Sequence, residues 1–572
     1  MNYLCDMNVF KTSVLLFALL GATVTFAQQY HSPATVETIN GTPRLVQDGK
    51  PFIMLGGEMH NSSSSTPLAA GSSYHTAKQM GMNSVITVVS WEQLEPEEGR
   101  FDFSEIDHII ALANQYGLRT AVAWFGSWKN GESSYAPVWV KSDTRRFFRV
   151  RNSAGENTTT LSPLCKETLK ADAKAFKTLM SYIGSHDTNH MICVMQVENE
   201  VGAFVDIDHS KEAARAFGAK VPDSLMKYLS AHKGTLTPML DNTWKEHGYR
   251  TSGSWSQIFG DNGAAWQIFM AWHFASYVNE VAKAGKEGFT LPMYANVWLA
   301  DDDAEFGSYP NGGPRPCVLD VYKAAAPDLD WLSPDVYLND YARYFGLFKR
   351  ADNPLFIPEV SREAGPAYLA LGEYDAMCYA PFGYEECYND RYMLGEYEVL
   401  NELLPIVSEH QGDGSMHGFM RMKEVNQPDD STSFTFGHYN FHVHYIKGEK
   451  AAHGLAIQTG KDEFLVAGVG AWITFSSDNP DLVCKIAYAE EVQYGKDGSC
   501  NTIFVLNGDE TAHNNMLYLR GRMPNEDLDD GVFKVDGPLY RPSYQRMHWS
   551  VWQDRFKVSG IYRIKLYTYP LK

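Results

Sequence analysis

Two glutamates, each at the end of a short apolar run, are the residues of this chain best placed to do chemistry. The first run, Met191-Ile192-Cys193-Val194-Met195-Gln196-Val197, leads into Glu198-Asn199-Glu200. The second, Pro354-Leu355-Phe356-Ile357, leads into Pro358-Glu359. A short apolar run bounded by polar residues reads as a buried parallel strand. Carboxylates just beyond the carboxyl ends of such strands sit where barrel enzymes place their reacting groups. Two carboxylates in one cleft are what cleavage of a glycosidic bond needs. The chain has 69 Asp and Glu, so a lone Glu after a strand is more often a charge at a helix N-terminus. The Asn-Glu pair weighs against that bland reading, and so does a second strand-end Glu 359 − 200 = 159 residues on. At roughly 50 residues per βα unit in a chain with insertions, the gap is about three units. That spacing predicts two glutamates facing each other across the mouth of an eight-fold barrel.

The strands that must hold them are visible as eight apolar runs, at 52–55, 85–89, 120–123, 191–197, 293–298, 331–337, 354–357 and 377–382. Helical patterns fall between them. Ser104-Glu105-Ile106-Asp107 resembles a capping box, followed by Ile106, Ile109, Ile110 and Ala113 on one face and Gly117 as the stop. Segments 166–184, 264–285 and 392–409 are amphipathic at helical spacing. Strand–helix alternation repeated eight times predicts an α/β chain closed as a (β/α)8 TIM barrel. An open doubly wound sheet is the alternative, and it usually carries a glycine-rich phosphate loop that is not visible here. After about residue 410 the texture changes to short alternating runs, among them 433–436, 463–467, 502–506 and 562–566. Turn signals at Lys496-Asp497-Gly498 and Asn507-Gly508-Asp509 separate them. This predicts a C-terminal all-β, sandwich-like domain, packed on the barrel because no flexible linker divides the two.

With 572 residues, the chain has room for such a barrel and one further domain. Lys11, the apolar stretch Val14–Leu20 and the small-residue end Thr25-Phe26-Ala27 read as a secretory signal over residues 1–27, cleaved after Ala27. The stretch is shorter than the roughly 20 residues of a membrane span. The expected organisation is therefore a leader over 1–27, a catalytic barrel over 28–410 and an all-β domain over 411–572, in an exported, periplasmic or secreted protein. Net charge is −20, which disfavours nucleic acid and anionic membranes as partners. Seven cysteines follow the leader, with no Cys-x-x-Cys pair and no ligand cluster, so no metal or other cofactor is expected. Cys484 and Cys500 are the one pair considered for a disulfide, the unpaired reading being preferred.

The segment Trp91-Glu92-Gln93-Leu94-Glu95-Pro96-Glu97-Glu98-Gly99-Arg100-Phe101-Asp102-Phe103 resembles the second-strand signature of β-galactosidases in glycoside hydrolase families 35 and 42. Gln196-Val197-Glu198-Asn199-Glu200-Val201-Gly202 is similar to the family 35 acid/base motif. The pattern over roughly 45–410 resembles a bacterial family 35 subgroup with its own C-terminal domain. There are departures. The family's eukaryotic members carry His-Glu-Pro after strand two, where this chain has Gln93-Leu94-Glu95-Pro96. They carry Asn-Ala-Glu after strand three, where this chain has Trp124-Phe125-Gly126-Ser127-Trp128.

The resemblance implies a retaining glycosidase in which Glu200 is the acid/base and Glu359 the nucleophile. Asn199 would bond the sugar 2-hydroxyl, or else merely cap a strand. Glu198 is read as structural, turned to the opposite face by strand alternation. Glu58, after the first strand, is a candidate for binding sugar hydroxyls, or a buried ion-pair member. Tyr337, after the sixth, could orient Glu359 or simply pack. One of Trp124, Trp128 and Trp298 is expected to stack on a sugar face, with His60 and Asn61 as a weaker wall. The function implied is removal of terminal β-galactosyl residues from plant or dietary saccharides. The alternatives are a β-glucosidase or arabinopyranosidase of the same clan, or a non-catalytic carbohydrate-binding barrel. The expected partner is a β-galactoside.

Overall fold

The computed structural model describes residues 30–301, 303–422, 431–446, 451–495, 497–506, 508–522 and 558–572. The leader over 1–27, and Lys496 and Asn507 of the two turn signals, lie outside the described residues. Eight parallel strands form the barrel: β1 Met54–Leu55, β2 Ser84–Ser90, β3 Arg119–Lys129, β4 Ile192–Asn199, β5 Met293–Trp298, β6 Trp331–Val336, β7 Ile357–Val360 and β8 Cys378–Pro381. Their order around the sheet is sequential, and β8 pairs with β1. The circle closes just past β1, where the backbone of Ile86 bonds Gly57 and Met59 at 2.9 and 3.0 Å. Each strand matches one of the eight apolar runs. Glu359 lies inside β7, however, rather than beyond it.

Alternation decides what faces the lumen. Tyr294 of β5, Trp331 of β6 and Phe356 ahead of β7 meet at ring-centroid distances of 4.9 to 5.7 Å. With Met54, Ile86, Ala121, Val194 and Cys378 they form one buried cluster. An N-terminal meander, Thr35–Ile39, Thr42–Gln47 and Lys50–Phe52, adds Leu45 and Phe52 to it. The lumen is thus plugged with apolar side chains at the strands' N-terminal end. Polar residues of the same strands collect at the other end, shut off from water below.

Helices α1 Ser104–Tyr116, α2 Lys166–His186, α3 Gly263–Gly288, α4 Gly365–Tyr374 and α5 Arg391–His410 pack outside the strands. Gly117 ends α1 in the left-handed region, as its position implied. The capping box does not form. Ser104 is the first helical residue, not the cap, and its N–H is taken by Asp102 at 2.9 Å. Glu105 turns inward instead and accepts from Ser64 Oγ at 3.1 Å.

The C-terminal domain is antiparallel throughout: β9 Met416–Met420, β10 Ser431–Phe436, β11 Tyr439–Tyr445, β12 His453–Gly460, β13 Glu463–Ser477, β14 Leu482–Tyr494, β15 Cys500–Val505, β16 Met516–Arg520 and β17 Gly560–Pro570. The long β13 is shared. Its first half pairs with β12 and β17, its second with β11 and β16. Phe441, Phe464, Val466, Ile473, Ile486, Leu519 and Leu566 make one core. The domain is bolted to the barrel by buried polar contacts. Arg522 meets Glu402 of α5 at 2.8 Å, and Glu396 of α5 accepts from Ser559 N and Tyr368 Oη at 3.0 and 2.6 Å. Cys484 is buried, Cys500 is exposed and both are free thiols, so the considered disulfide is absent.

Candidate active site

The site depends on a disruption where β3 runs beside β4. Trp124 pairs with Val197, but the next pair is Lys129 with Asn199, five residue steps on β3 against two on β4. The surplus bulges out. Trp124 Nε1 donates to Asp172 Oδ1 at 2.9 Å, and Trp128 Nε1 donates to the Leu161 carbonyl at 3.0 Å. Both indoles are fully buried, and Trp128 packs on Phe274 and Tyr277. Neither can stack on a sugar, which leaves Trp298 of the three candidates. The sequence reading ended the strand at residue 123, and the bulge carries it to 129. Gly126 permits the bend, since a Cβ there would lie 2.3 Å from Trp124 Nε1 and 2.6 Å from Glu198 Oε1.

At the end of β4 the backbone is strained. Glu198 has φ 64° and Glu200 φ 44°, values rare outside glycine and concentrated at functional sites. Residues two apart on a strand share a face, so alternation alone would set Glu198 beside Glu200. The left-handed turn at Glu198 sends it behind the strand, where Oε2 accepts from Trp128 N at 2.9 Å. Its structural position matches the expectation, but the cause is the turn and not alternation. Burial, followed by the Asp172 charge, pushes its carboxyl well above the usual range.

Asn199 faces the lumen. Its Oδ1 accepts from Gln196 Nε2 at 2.9 Å and from Asn296 Nδ2 at 3.1 Å, and its Nδ2 donates to Asn130 Oδ1 at 3.3 Å. With the oxygen doubly occupied, only the amide N–H is left for a ligand. Asn296 of β5 ties three strands together. It also donates to Asp335 Oδ2 at 2.7 Å and accepts from Glu200 N at 2.9 Å.

Glu359 receives a hydrogen bond from Tyr337 Oη on Oε1, while its buried Oε2 meets no donor. Tyr337 therefore sits where it can orient Glu359. Neither oxygen of Glu58, nor Oδ1 of Asp335, meets an N–H or hydroxyl donor. Their neighbours are other carboxyls: Glu359 for Glu58, and Glu200 for Asp335. Such contacts become hydrogen bonds only when one partner carries a proton.

Four carboxyls and one ammonium thus share a buried space. Burial first, then the Glu359 charge, pushes Glu200 up to about 7, against the opposing pull of Lys129. The same two causes raise Glu58 and Asp335 well above the usual range. Burial alone would lower the Lys129 ammonium, but the charges of Glu359, Glu200, Glu58 and Asp335 outweigh it and raise it. Burial and the Glu359 charge likewise raise the Tyr337 hydroxyl, which stays a donor. A carboxylic acid with a pKa near 7 beside a second carboxyl is suited to give a proton and later to take one.

At the rim, Trp298 is 37 % exposed and meets Phe204 edge-on at 6.0 Å. Tyr337 is 48 % exposed. His60 Nε2 lies 2.9 Å from Glu386, which Arg362 also holds at 2.8 Å. The structure therefore gathers Glu200, Glu359, Asn199, Glu58 and Tyr337, leaves Trp298 at the mouth and removes Trp124 and Trp128. Sequence reasoning missed Lys129, Asn296, Gln196 and Asp335. The last three are polar residues inside otherwise apolar strands, a signal that was there to use.

Residues 68–343 match the glycoside hydrolase family 42 model, described as Beta-galactosidase. Residues 393–517 match a domain of unknown function, DUF5597. The β-galactosidase of Xanthomonas manihotis is 29 % identical over 175 residues, 29 % of this chain and 26 % of that protein. Beta-galactosidase 11 of Arabidopsis thaliana is 32 % identical over 120 residues, 20 % of this chain and 14 % of that protein. The matched stretch thus spans about a quarter or less of these relatives. Among solved structures, the β-galactosidase of Bacillus circulans sp. alkalophilus aligns with a TM-score of 0.43 and 14 % identity, covering 63 % of this chain and 57 % of that one. The family match and the relatives support a glycosidase.

Proposed function

We propose that this chain is an exported, retaining exo-β-galactosidase of the family 35 and 42 type, acting by double displacement on terminal β-galactosyl residues of plant or dietary saccharides. The observation that carries the reading is the pairing of Glu200, at a pKa of about 7, with Glu359, bonded by Tyr337, in one enclosed lumen. Glu359 attacks the anomeric carbon while Glu200 protonates the leaving oxygen. Glu359 is neutralised in the covalent intermediate, so the Glu200 pKa falls and its carboxylate can take a proton from water. Asn199, with one amide N–H to spare, faces the 2-hydroxyl. Galactose as the preferred sugar rests on the family model and on the printed names of the relatives.

A panel of aryl glycosides tests the reading, with the β-galactoside expected as best substrate. Azide then separates the roles. With Glu200→Ala, an activated aryl galactoside should give a burst, and azide should restore turnover to a β-galactosyl azide. With Glu359→Ala, azide should give the α-azide. Swapped products would reverse the two assignments. Export is tested by fractionating the native host, where recovery of the protein in the cytoplasm would refute it.

A further inference from the structure

Lys129 is a buried cation whose surroundings suggest more than charge balance. It ends β3 and opens the turn Lys129-Asn130-Gly131-Glu132. Lys129 and Glu132 exchange both backbone hydrogen bonds, at 2.8 and 3.0 Å, and Asn130 and Gly131 have φ 54° and 72°. That is the two-residue hairpin which Asn-Gly forms best, because both central residues must be left-handed. The hairpin is docked on the acid/base motif. Gly131 N donates to the Glu200 carbonyl at 3.0 Å, Asn130 Oδ1 accepts from Asn199 Nδ2 at 3.3 Å, and Thr160 Oγ1 donates to the Gly131 carbonyl at 2.6 Å. A Cβ at Gly131 would lie 3.0 Å from Pro310 and 3.1 Å from Phe204, so the turn is wedged in place. Lys129 is thereby fixed in register beside Asn199.

Its side chain is only 6 % exposed. The ammonium rests 5.0 Å from the Phe125 ring centroid and faces Glu359, Glu200, Glu58 and Asp335. Among the described residues it makes no direct ion pair with any of them. The residue is buried, but its Nζ is not among the fully buried unpaired atoms, so the N–H groups are open to water or to a ligand in the lumen. The docked hairpin gives the ammonium a rigid mount close enough to the two proposed catalytic carboxyls for their charges to act on it.

We infer that Lys129 binds substrate directly, its ammonium donating to a ring hydroxyl at C2 or C3 of the sugar held between Glu200 and Glu359. The side follows from register, since Lys129 stands next to Asn199, the residue facing C2. A neutral polyol fits better than an anionic sugar, because four carboxyls surround the single cation. This rests on the glycosidase reading and adds to it a specificity-determining residue.

A double-mutant cycle between protein and substrate tests it. Wild type, Lys129→Met and Lys129→Gln are compared on aryl β-galactosides that are intact or deoxygenated at C2, C3, C4 or C6, with melting temperatures recorded for all three proteins. In the wild type, loss of the contacted hydroxyl should lower kcat/KM by about 10- to 100-fold, the range for a hydrogen bond to a charged donor. In both variants the penalty for the same deoxygenation, at C2 or C3, should shrink by about tenfold or more, any contact from Asn199 remaining, while the other positions keep their wild-type penalties. A residue acting only through charge would move the pH profile of every substrate alike and show no coupling. Absence of coupling at every position, or coupling at C4 or C6 alone, overturns the inference. A wild-type protein inactive on every aryl glycoside would sink the glycosidase reading itself, an outcome distinct from active protein without coupling.

Discussion

Replacing Glu359 by Gln should lower the pKa of Glu200, and the size of the fall can be estimated. Glu200 stands at about 7 against an ordinary 4.5, a rise of 7 − 4.5 = 2.5 units, with burial as the larger cause and the Glu359 charge the next. At about 5 Å, the separation that the proposed retaining mechanism requires, two carboxylates repel by about 3 kcal/mol at an effective dielectric of about 20. At 1.36 kcal/mol per unit, that is about 2 units. Glu359→Gln keeps the shape and removes the charge; because burial is the larger cause, about 2 units is the upper bound of the fall, and Glu200 should titrate between roughly 5 and 6. Burial persists, which keeps it from falling below the ordinary value. The assay is carboxyl carbon NMR on glutamate-labelled protein between pH 4 and 9, with Glu359→Gln/Glu200→Gln as the spectrum to subtract. In the wild type, the alkaline limb of kcat/KM should lie near pH 7, because the proton donor is lost above it. A Glu200 that still titrates near 7 in Glu359→Gln would refute the reasoning, since its proton would then not sense the Glu359 charge.

Other outcomes follow from the same structure. Glu105 is pushed by burial to about 7, above its unfolded value. Its protonated form therefore favours folding below about pH 4.5, and that contribution is lost as pH rises through 7. Glu105→Gln should leave the melting temperature unchanged at pH 4 and raise it at pH 8, by up to about 3 kcal/mol of stability; equal effects at both pH values would contradict this. Gly126→Ala puts a Cβ 2.3 Å from Trp124 Nε1 and should destabilise the fold by about 1–3 kcal/mol, read in urea unfolding. Trp298→Ala should weaken binding of galactosylated oligosaccharides by about 1 kcal/mol, about fivefold in KM. Small aryl galactosides should be unaffected, and a loss shared by both substrates would place Trp298 elsewhere.

The barrel was legible in the sequence because strands buried on both faces leave uninterrupted apolar runs, and all eight runs became strands. The two glutamates were legible because each interrupts such a run at its carboxyl end. Lys129 was not, since its place depends on a bulge, and a bulge is a tertiary fit between β3 and β4 with no composition of its own. The same bulge hid the fate of Trp124 and Trp128, which read as strand-end aromatics until the extra residues turned them toward Asp172 and Leu161. Glu198 shows a further limit. Its left-handed backbone reverses the face that period-two counting assigns. The proposed capping box failed because Asp102 reaches the Ser104 N–H first, leaving Glu105 to the interior.

The measurement that bears most directly on the central claim is the configuration of the first-formed sugar. Wild-type protein and an aryl β-galactoside, followed by proton NMR within the first minutes, should release the β-anomer before mutarotation supplies the α-form. Initial release of the α-anomer would mean a single displacement by water, and Glu359 could not be the nucleophile.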